Sequence, residues 1–473
     1  MAETRTEHDF LGSLELPAGA LYGIHSLRSR QVFSLARQPL HPELIRALAE
    51  VKLACALANR RLGNLSPQIS DAICQAAREV ASGQHHESFV TDALQGGAGT
   101  SANMNANEVL ANRAAQILGG NPGDHLLVHP LDHVNLCQST NDVFPTAVRV
   151  AALRLLKQAV EAASYLQGAL QAKEAEFQSV LKVGRTEMQD AVPITLGQEF
   201  AAWAQSVKRD WWRLYNVEER LRQVNLGGTA VGTGLNAGQK FIFLASELLR
   251  DITGLPISRA ENLIDVTQNC DVFAEVSGLL KSASVNLAKI ASDLRLLSSG
   301  PRAGFGEINL PEIQPGSSIM PGKVNPVIPE AVSQAAFQIQ ACDQAVTLAA
   351  QNGQLELNAF LPFIAYNLFN ALALLGDASR LLADKCIAGI SANAEHCQSQ
   401  AENSLGIAAV LVPVIGYEEA ARVARRALAE GRRVQDVALE EGLLEPSELS
   451  DILSIENLTM PGTGPALSDK ETE

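Results

Sequence analysis

Histidine is missing from the whole stretch between His133 and His396 of this 473-residue chain. Its middle therefore supplies no imidazole acid or base and no His-rich transition-metal site. Cysteine is sparse: seven residues, at positions 55, 74, 137, 270, 342, 386 and 397, with no C-x-x-C pair. An odd set scattered mostly among apolar neighbours reads as reduced core thiols and not as a disulfide framework. Positive charge is short as well, with 37 Lys and Arg against 52 Asp and Glu and a formal net charge of -15. That balance argues against nucleic acid and anionic membrane surfaces as partners, because both need a basic face. No run of about 18 uninterrupted apolar residues suggests a membrane span, and the segment from Met1 to Asp9 lacks a hydrophobic signal core. The cytoplasm is the expected location. The glycine-rich segments lack the strand-then-helix context of a dinucleotide or phosphate loop. No metal-ligand set or organic cofactor motif stands out either, and none is expected.

What is present has the composition of a globular protein, 47% hydrophobic and 19% charged, in a chain long enough for two or three domains and a large core. Residues 1–139 mix short helices with Pro/Gly turns and read as a mostly helical domain; Pro42 to Leu62 forms an amphipathic helix stopped by Gly63. His125, His129 and His133 cluster there, with ordinary polar or buried roles favoured over metal binding. Residues 140–397 have a different texture. Leu156, Val160, Ala163, Leu166 and Leu170 recur at spacings of three and four, as do Val276, Leu280, Ala283, Leu287, Ile290, Leu294 and Leu297, which predicts long core-facing helices. Stretches 330–351 and 361–385 behave alike, so this block is expected to be a helical bundle. The connector from Asn225 to Asn236 is too polar and glycine-rich for helix. Residues 398–473 carry charge pairs such as Glu418-Glu419 and Arg425-Arg426 and read as a small helical domain whose end, from Pro461, is expected to fray. The fold class is mainly α, in three domains.

One segment stands apart from the helical texture: Gly316-Ser-Ser-Ile-Met-Pro-Gly-Lys-Val-Asn-Pro326. Gly316 and Gly322 permit backbone angles closed to other residues, and Pro321 and Pro326 interrupt any helix, which predicts a structured but movable loop. It presents two hydroxyls, Ser317 and Ser318, a cation, Lys323, and an amide able to bind a carboxylate, Asn325. Two further blocks, Gly99-Thr-Ser-Ala-Asn-Met-Asn-Ala-Asn-Glu108 and Gln138-Ser-Thr-Asn-Asp142, concentrate hydroxyls and amides in the same way. The Gly96-Gly97-Ala98-Gly99 lead-in suggests a backbone kept bare for a ligand.

Taken together and in this order, the three blocks resemble the signature segments of the aspartase/fumarase superfamily, whose members eliminate ammonia, water or an amine from succinate-type substrates to leave fumarate. The resemblance runs from about Phe10 to about Asn457. It implies a three-domain chain with a central long-helix bundle, a homotetramer, and active sites each built from three subunits around a small dicarboxylate. It also sets a puzzle, since a dicarboxylate must be drawn to an acidic protein by local cations.

The chemistry implied is removal of a proton from a carbon beside a carboxylate, which leaves charge that collapses into an aci-carboxylate. Donors aimed at that charge each contribute on the order of 100- to 1,000-fold in rate. By resemblance, Thr100, Ser101, Ser139, Thr140 and Ser318 are the substrate ligands at the carboxylate beside the acidified carbon, and Asn141 is a further substrate-binding residue. Thr186, Lys323 and Asn325 hold the other carboxylate, and Ser317 is the general base. A serine hydroxyl is far too weak an acid to ionise unaided, so its oxygen needs surrounding N–H donors and a closed loop.

The informative departure is Glu187, in the run Gly184-Arg-Thr-Glu-Met-Gln-Asp-Ala-Val-Pro193. Fumarase-like members and some ammonia-lyases place histidine there, and other aspartases place glutamine. A substrate ammonium carries its own protons and can depart as neutral ammonia, whereas a leaving hydroxide must be given one, so the missing imidazole favours an ammonia-lyase over a hydratase. Glu187 is expected to accept hydrogen bonds from the substrate ammonium, with Lys323 or a proton shared with Glu330 offsetting its charge. The function implied is a lyase taking ammonia from L-aspartate to give fumarate. The alternatives are a lyase for a modified or N-substituted aspartate, a fumarate hydratase and, more distantly, a non-catalytic structural relative.

Overall fold

The computed structural model describes residues 3–460; the end from Pro461, expected to fray, lies outside the described residues. The chain divides into two compact units. One takes the chain up to Glu161 with Asp210–Ser284 and Ala335–Asp377, and the other takes Ala162–Arg209, Val285–Gln334 and the chain from Ala378. Among the described residues 63% are helical, and the protein has the mainly α, long-helix architecture expected.

In chain order, the elements that matter for function begin with helix α1 (Pro42–Arg61) and α2 (Thr100–Ile117). The long helices follow: α3 (Thr140–Glu176), α4 (Leu196–Leu221), α5 (Asp271–Leu297), α6 (Val327–Gln351) and α7 (Leu361–Lys385). Among the described residues strand content is limited to two-stranded ribbons, of which the antiparallel pair β1 (Leu181–Thr186) and β2 (Gln189–Thr195) bears on the site.

The sequence accounts for these helices locally. Pro42 sits in the first turn of α1, where its missing N–H costs nothing, and His41 caps the start by accepting from the Glu43 N–H. The chain leaves α1 through Gly63 at φ +78°. All seven stripe residues of α5 are buried, and so are Leu156, Ala163, Leu166 and Leu170 of α3, with Val160 half-buried. A 37-residue α3 spans about 56 Å.

Among the described residues, Leu361–Gly389 is the one stretch long and apolar enough to cross a membrane, and 61% of its apolar window is buried inside the protein. That is the behaviour of a core helix. The connector from Asn225 to Asn236 is not helical, and Gly232 within it has φ +89°; a Cβ there would lie 2.4 Å from the Ile264 Cα. All seven cysteines are free thiols, six of them buried and Cys137 half-buried. Near the C-terminus, Ile407, Leu411, Val423, Val437, Leu449 and Ile452 gather into a hydrophobic cluster.

Candidate active site

In the first unit, the residues expected to grip one carboxylate lie at two helix N-termini. Thr100 and Ser101 open α2, while Ser139 precedes α3 and Thr140 and Asn141 open it. A helix N-terminus carries unpaired N–H groups and about half a positive charge, so each of these ends suits an anion. The two ends are held together. Asn103 of α2 donates to the Thr140 hydroxyl at 3.1 Å, and Gly99, at φ +95°, packs so tightly on Phe144 that a Cβ would lie 2.4 Å from its Cγ. The bare backbone at Gly99 thus serves helix packing, where the sequence suggested room for a ligand. Thr100 donates its hydroxyl to the Gly97 carbonyl at 2.7 Å.

The start of α3 is capped reciprocally. The Asn141 N–H donates to the Ser139 Oγ at 3.2 Å, and the Ser139 N–H donates to the Asp142 Oδ1 at 3.0 Å. Pro145 has no N–H to give the carbonyl of Asn141, four residues back. Asn225 supplies the missing donor through its Nδ2 at 2.9 Å and also donates to the Thr267 hydroxyl. Asn141 in turn donates its Nδ2 to the Ala230 carbonyl at 2.7 Å. The other Asp142 oxygen accepts from the N–H groups of Gly227 and Thr229, both at 3.0 Å. The glycine-rich connector is therefore fastened to the candidate substrate-binding turn from both sides. Burial pushes the Asp142 carboxyl up to about 6 against the pull of those hydrogen bonds.

Beneath this turn lies a charge that sequence reasoning missed. Lys52 of α1 is fully buried and donates to the side-chain oxygens of Asn135 and Gln138 at 2.8 and 2.9 Å. Asn103 and Asn107 donate to the same Asn135 oxygen. Burial pushes the Lys52 ammonium down to about 7. The available signal was a lone lysine in the apolar run Val51-Lys52-Leu53-Ala54-Cys55.

The second unit holds the remaining candidates. The loop from Gly316 to Pro326 is closed at its neck: the Gly316 N–H donates to the Lys323 carbonyl at 2.7 Å, and Asn325 donates its Nδ2 to the Gly316 carbonyl at 2.8 Å. Gly316 cannot be replaced cheaply, since a Cβ would lie 2.5 Å from the Lys323 carbonyl oxygen. Within the loop the Ser317 Oγ accepts two backbone N–H groups, from Ile319 at 3.2 Å and Met320 at 3.0 Å. Ser318 and Lys323 are exposed.

Thr186 and Glu187 occupy the tip of the β1–β2 hairpin, where Thr186 pairs with Gln189 and only Glu187 and Met188 form the turn. Both turn residues are left-handed, at φ +53° and +64°. A two-residue turn of this kind normally uses Asn-Gly, so each non-glycine residue here carries strain on the order of 1 kcal/mol. Arg185 and Lys182, on β1, hold the hairpin through the fully buried Glu307, at 2.5 and 2.9 Å. Thr186 and Met188 line a cavity of about 710 Å³ whose walls include Val192, Leu296 and Phe305. Among the described residues no hydrogen bond or ion pair joins the hairpin tip to the loop, and neither Lys323 nor Glu330 pairs with Glu187. No cluster of three or more His, Cys, Asp or Glu side chains is arranged to hold a metal among the described residues. His129 and His133 act as local acceptors for backbone N–H groups.

Comparison with known proteins identifies the family. A family model described as lyase matches residues 12–341, and one described as fumarase C C-terminus matches residues 407–460. The chain is 50% identical over 463 residues to an aspartate ammonia-lyase of Pseudomonas fluorescens, covering 97% of each chain. The crystal structure of fumarate lyase:delta crystallin from Brucella melitensis bound to cobalt matches with a TM-score of 0.93 at 50% identity, covering 95% of this chain and 98% of that one. A recombinant class II fumarase from Schistosoma mansoni matches with a TM-score of 0.93 at 35% identity, covering 97% and 100%. With two family models and full-length relatives in agreement, the chain belongs to the aspartase/fumarase superfamily of lyases.

Proposed function

We propose that this chain is a carbon–nitrogen lyase that eliminates ammonia from L-aspartate to give fumarate, with Ser317 as the general base. The observation that carries the assignment of Ser317 is its oxygen, which already accepts two backbone N–H groups inside its own loop. Those donors stabilise the alkoxide left once the Ser317 hydroxyl has given its proton to solvent, a charge that burial alone would penalise. Ser317 takes the proton from the substrate carbon beside one carboxylate, and the electron pair moves into that carboxylate. When the pair returns to form the carbon–carbon double bond, the carbon–nitrogen bond breaks and its electrons leave with nitrogen as neutral ammonia.

Thr100, Ser101, Ser139, Thr140 and Ser318 serve the carboxylate that takes up charge, aided by the N-termini of α2 and α3, and Asn141 is a further substrate ligand. Thr186, Lys323 and Asn325 serve the other carboxylate, and Glu187 accepts from the ammonium. The chain works as a homotetramer with sites shared between subunits. Elimination of an amine from an N-substituted aspartate is the second reading, favoured by the cavity beside Thr186 and Met188.

Fumarate formation, followed by ultraviolet absorbance with aspartate, malate and N-substituted aspartates, ranks these readings directly. Ser317→Ala should lower turnover by about 100- to 10,000-fold while leaving the assembly intact. Near wild-type turnover in that variant would remove Ser317 from the mechanism.

A further inference from the structure

A second cavity, of about 640 Å³, lies in the first unit and is used by none of the chemistry above. Arg149 lines it. This arginine is only 2% exposed, and its Nη1 donates to the Arg220 carbonyl at 3.1 Å. Its Nε is buried without a partner, no carboxylate stands within ion-pair distance of it among the described residues, and the guanidinium lies over the Phe273 ring at 5.0 Å. Leaving a buried charge unpaired costs several kcal/mol. Burial accordingly pushes the guanidinium down to about 10.

A second observation points the same way. Asn269, Cys270, Asp271 and Val272, at the N-terminus of α5, line the same cavity, and a helix of 27 residues presents its positive end there. The lining also includes the carboxylates of Glu219, Asp265 and Asp271. These would repel a polyanion and attract a cation, so the cavity offers an anion subsite and a cation subsite together.

We propose that this cavity binds a small zwitterion of the free amino-acid class, with its carboxylate on the unpartnered edge of Arg149 and its ammonium toward Glu219, Asp265 and Asp271. The planar fork of a guanidinium matches a carboxylate in a way that a point charge does not. Arg149 lies nine residues along α3 from Thr140, about 14 Å away, so this site is distinct from the substrate-binding turn.

The test is equilibrium dialysis of the full-length protein against labelled glycine, with saturating succinate present to occupy the catalytic site. Glycine should bind at about one per chain, and acetate or methylammonium should compete at least about tenfold more weakly. Arg149→Met should reduce glycine affinity at least about tenfold. Arg149→Lys keeps the charge, and it should also weaken binding, which decides the matter if the methionine variant does not fold. Absence of glycine binding, equal binding by the folded variants, or competition by acetate as strong as by glycine would each overturn the proposal.

Discussion

Replacing Asp142 by asparagine removes a buried carboxylate that ties the turn at the start of α3 to the glycine-rich connector. The carboxylate accepts from Ser139, Gly227 and Thr229. An asparagine can turn its oxygen toward Gly227 and Thr229 only by presenting an N–H to the Ser139 N–H, so at least one donor is left unsatisfied. A lost hydrogen bond to a charged acceptor and a buried orphan together cost about 2–4 kcal/mol. The pH dependence is more diagnostic than the mean loss. Asp142 has a folded pKa near 6 against its ordinary 3.8, so the folded state keeps a proton that the unfolded chain has released between those values. Its contribution is therefore greatest below the ordinary value and is lost as pH rises toward 6, by about 3 kcal/mol in all. Urea unfolding of the wild type and Asp142→Asn across about pH 4 to 7 should show the wild type losing about 2 kcal/mol of that amount relative to the variant. Parallel profiles would refute the assignment of a buried, proton-binding Asp142.

The other perturbations follow from backbone geometry. Gly99→Ala combines a left-handed backbone with a Cβ 2.4 Å from Phe144 and should destabilise by about 2–5 kcal/mol. Gly97→Ala, at φ +84° with its nearest contact at 3.7 Å, should cost only about 1–2 kcal/mol; thermal melts distinguish the two. Met188→Gly relieves the strain at φ +64° and should add up to about 1 kcal/mol of stability. Glu187→Gln keeps the shape of the turn and removes its charge, so KM for aspartate should rise while the fold is unchanged; identical kinetics and substrate preference would leave Glu187 with a structural role only.

The helices were legible because burial imposes a period: the stripe of α5 is buried at every position the spacing picks out. The candidate site's polar residues stood out as motif blocks, but their partners did not. Asn225 matters because Pro145 frees the Asn141 carbonyl, a relation that joins residues far apart in sequence and becomes visible only when they are neighbours. The β1–β2 turn was hidden for a different reason. Glu187-Met188 has none of the glycine or asparagine that marks such a turn, because here the flanking strands and the Glu307 ion pairs hold a conformation that the turn residues themselves disfavour.

The acidity of the chain poses a question that the helix ends answer. A net charge of -15 repels a dicarboxylate at long range, so attraction must be local. In the proposed mechanism the N-termini of α2 and α3 would supply it through fixed N–H dipoles beside Thr100, Ser101, Ser139, Thr140 and Asn141, and Lys323 would add an exposed cation. Dipoles of this kind act within a turn of the helix, well inside the screening length of about 10 Å at 0.1 M salt. Added salt should therefore screen the distant repulsion more than the local attraction. KM for the dicarboxylate should stay level or fall as sodium chloride rises from about 0.02 to 0.2 M. A rise of several-fold would instead mean that long-range steering by surface cations, and not the helix ends, brings the substrate in.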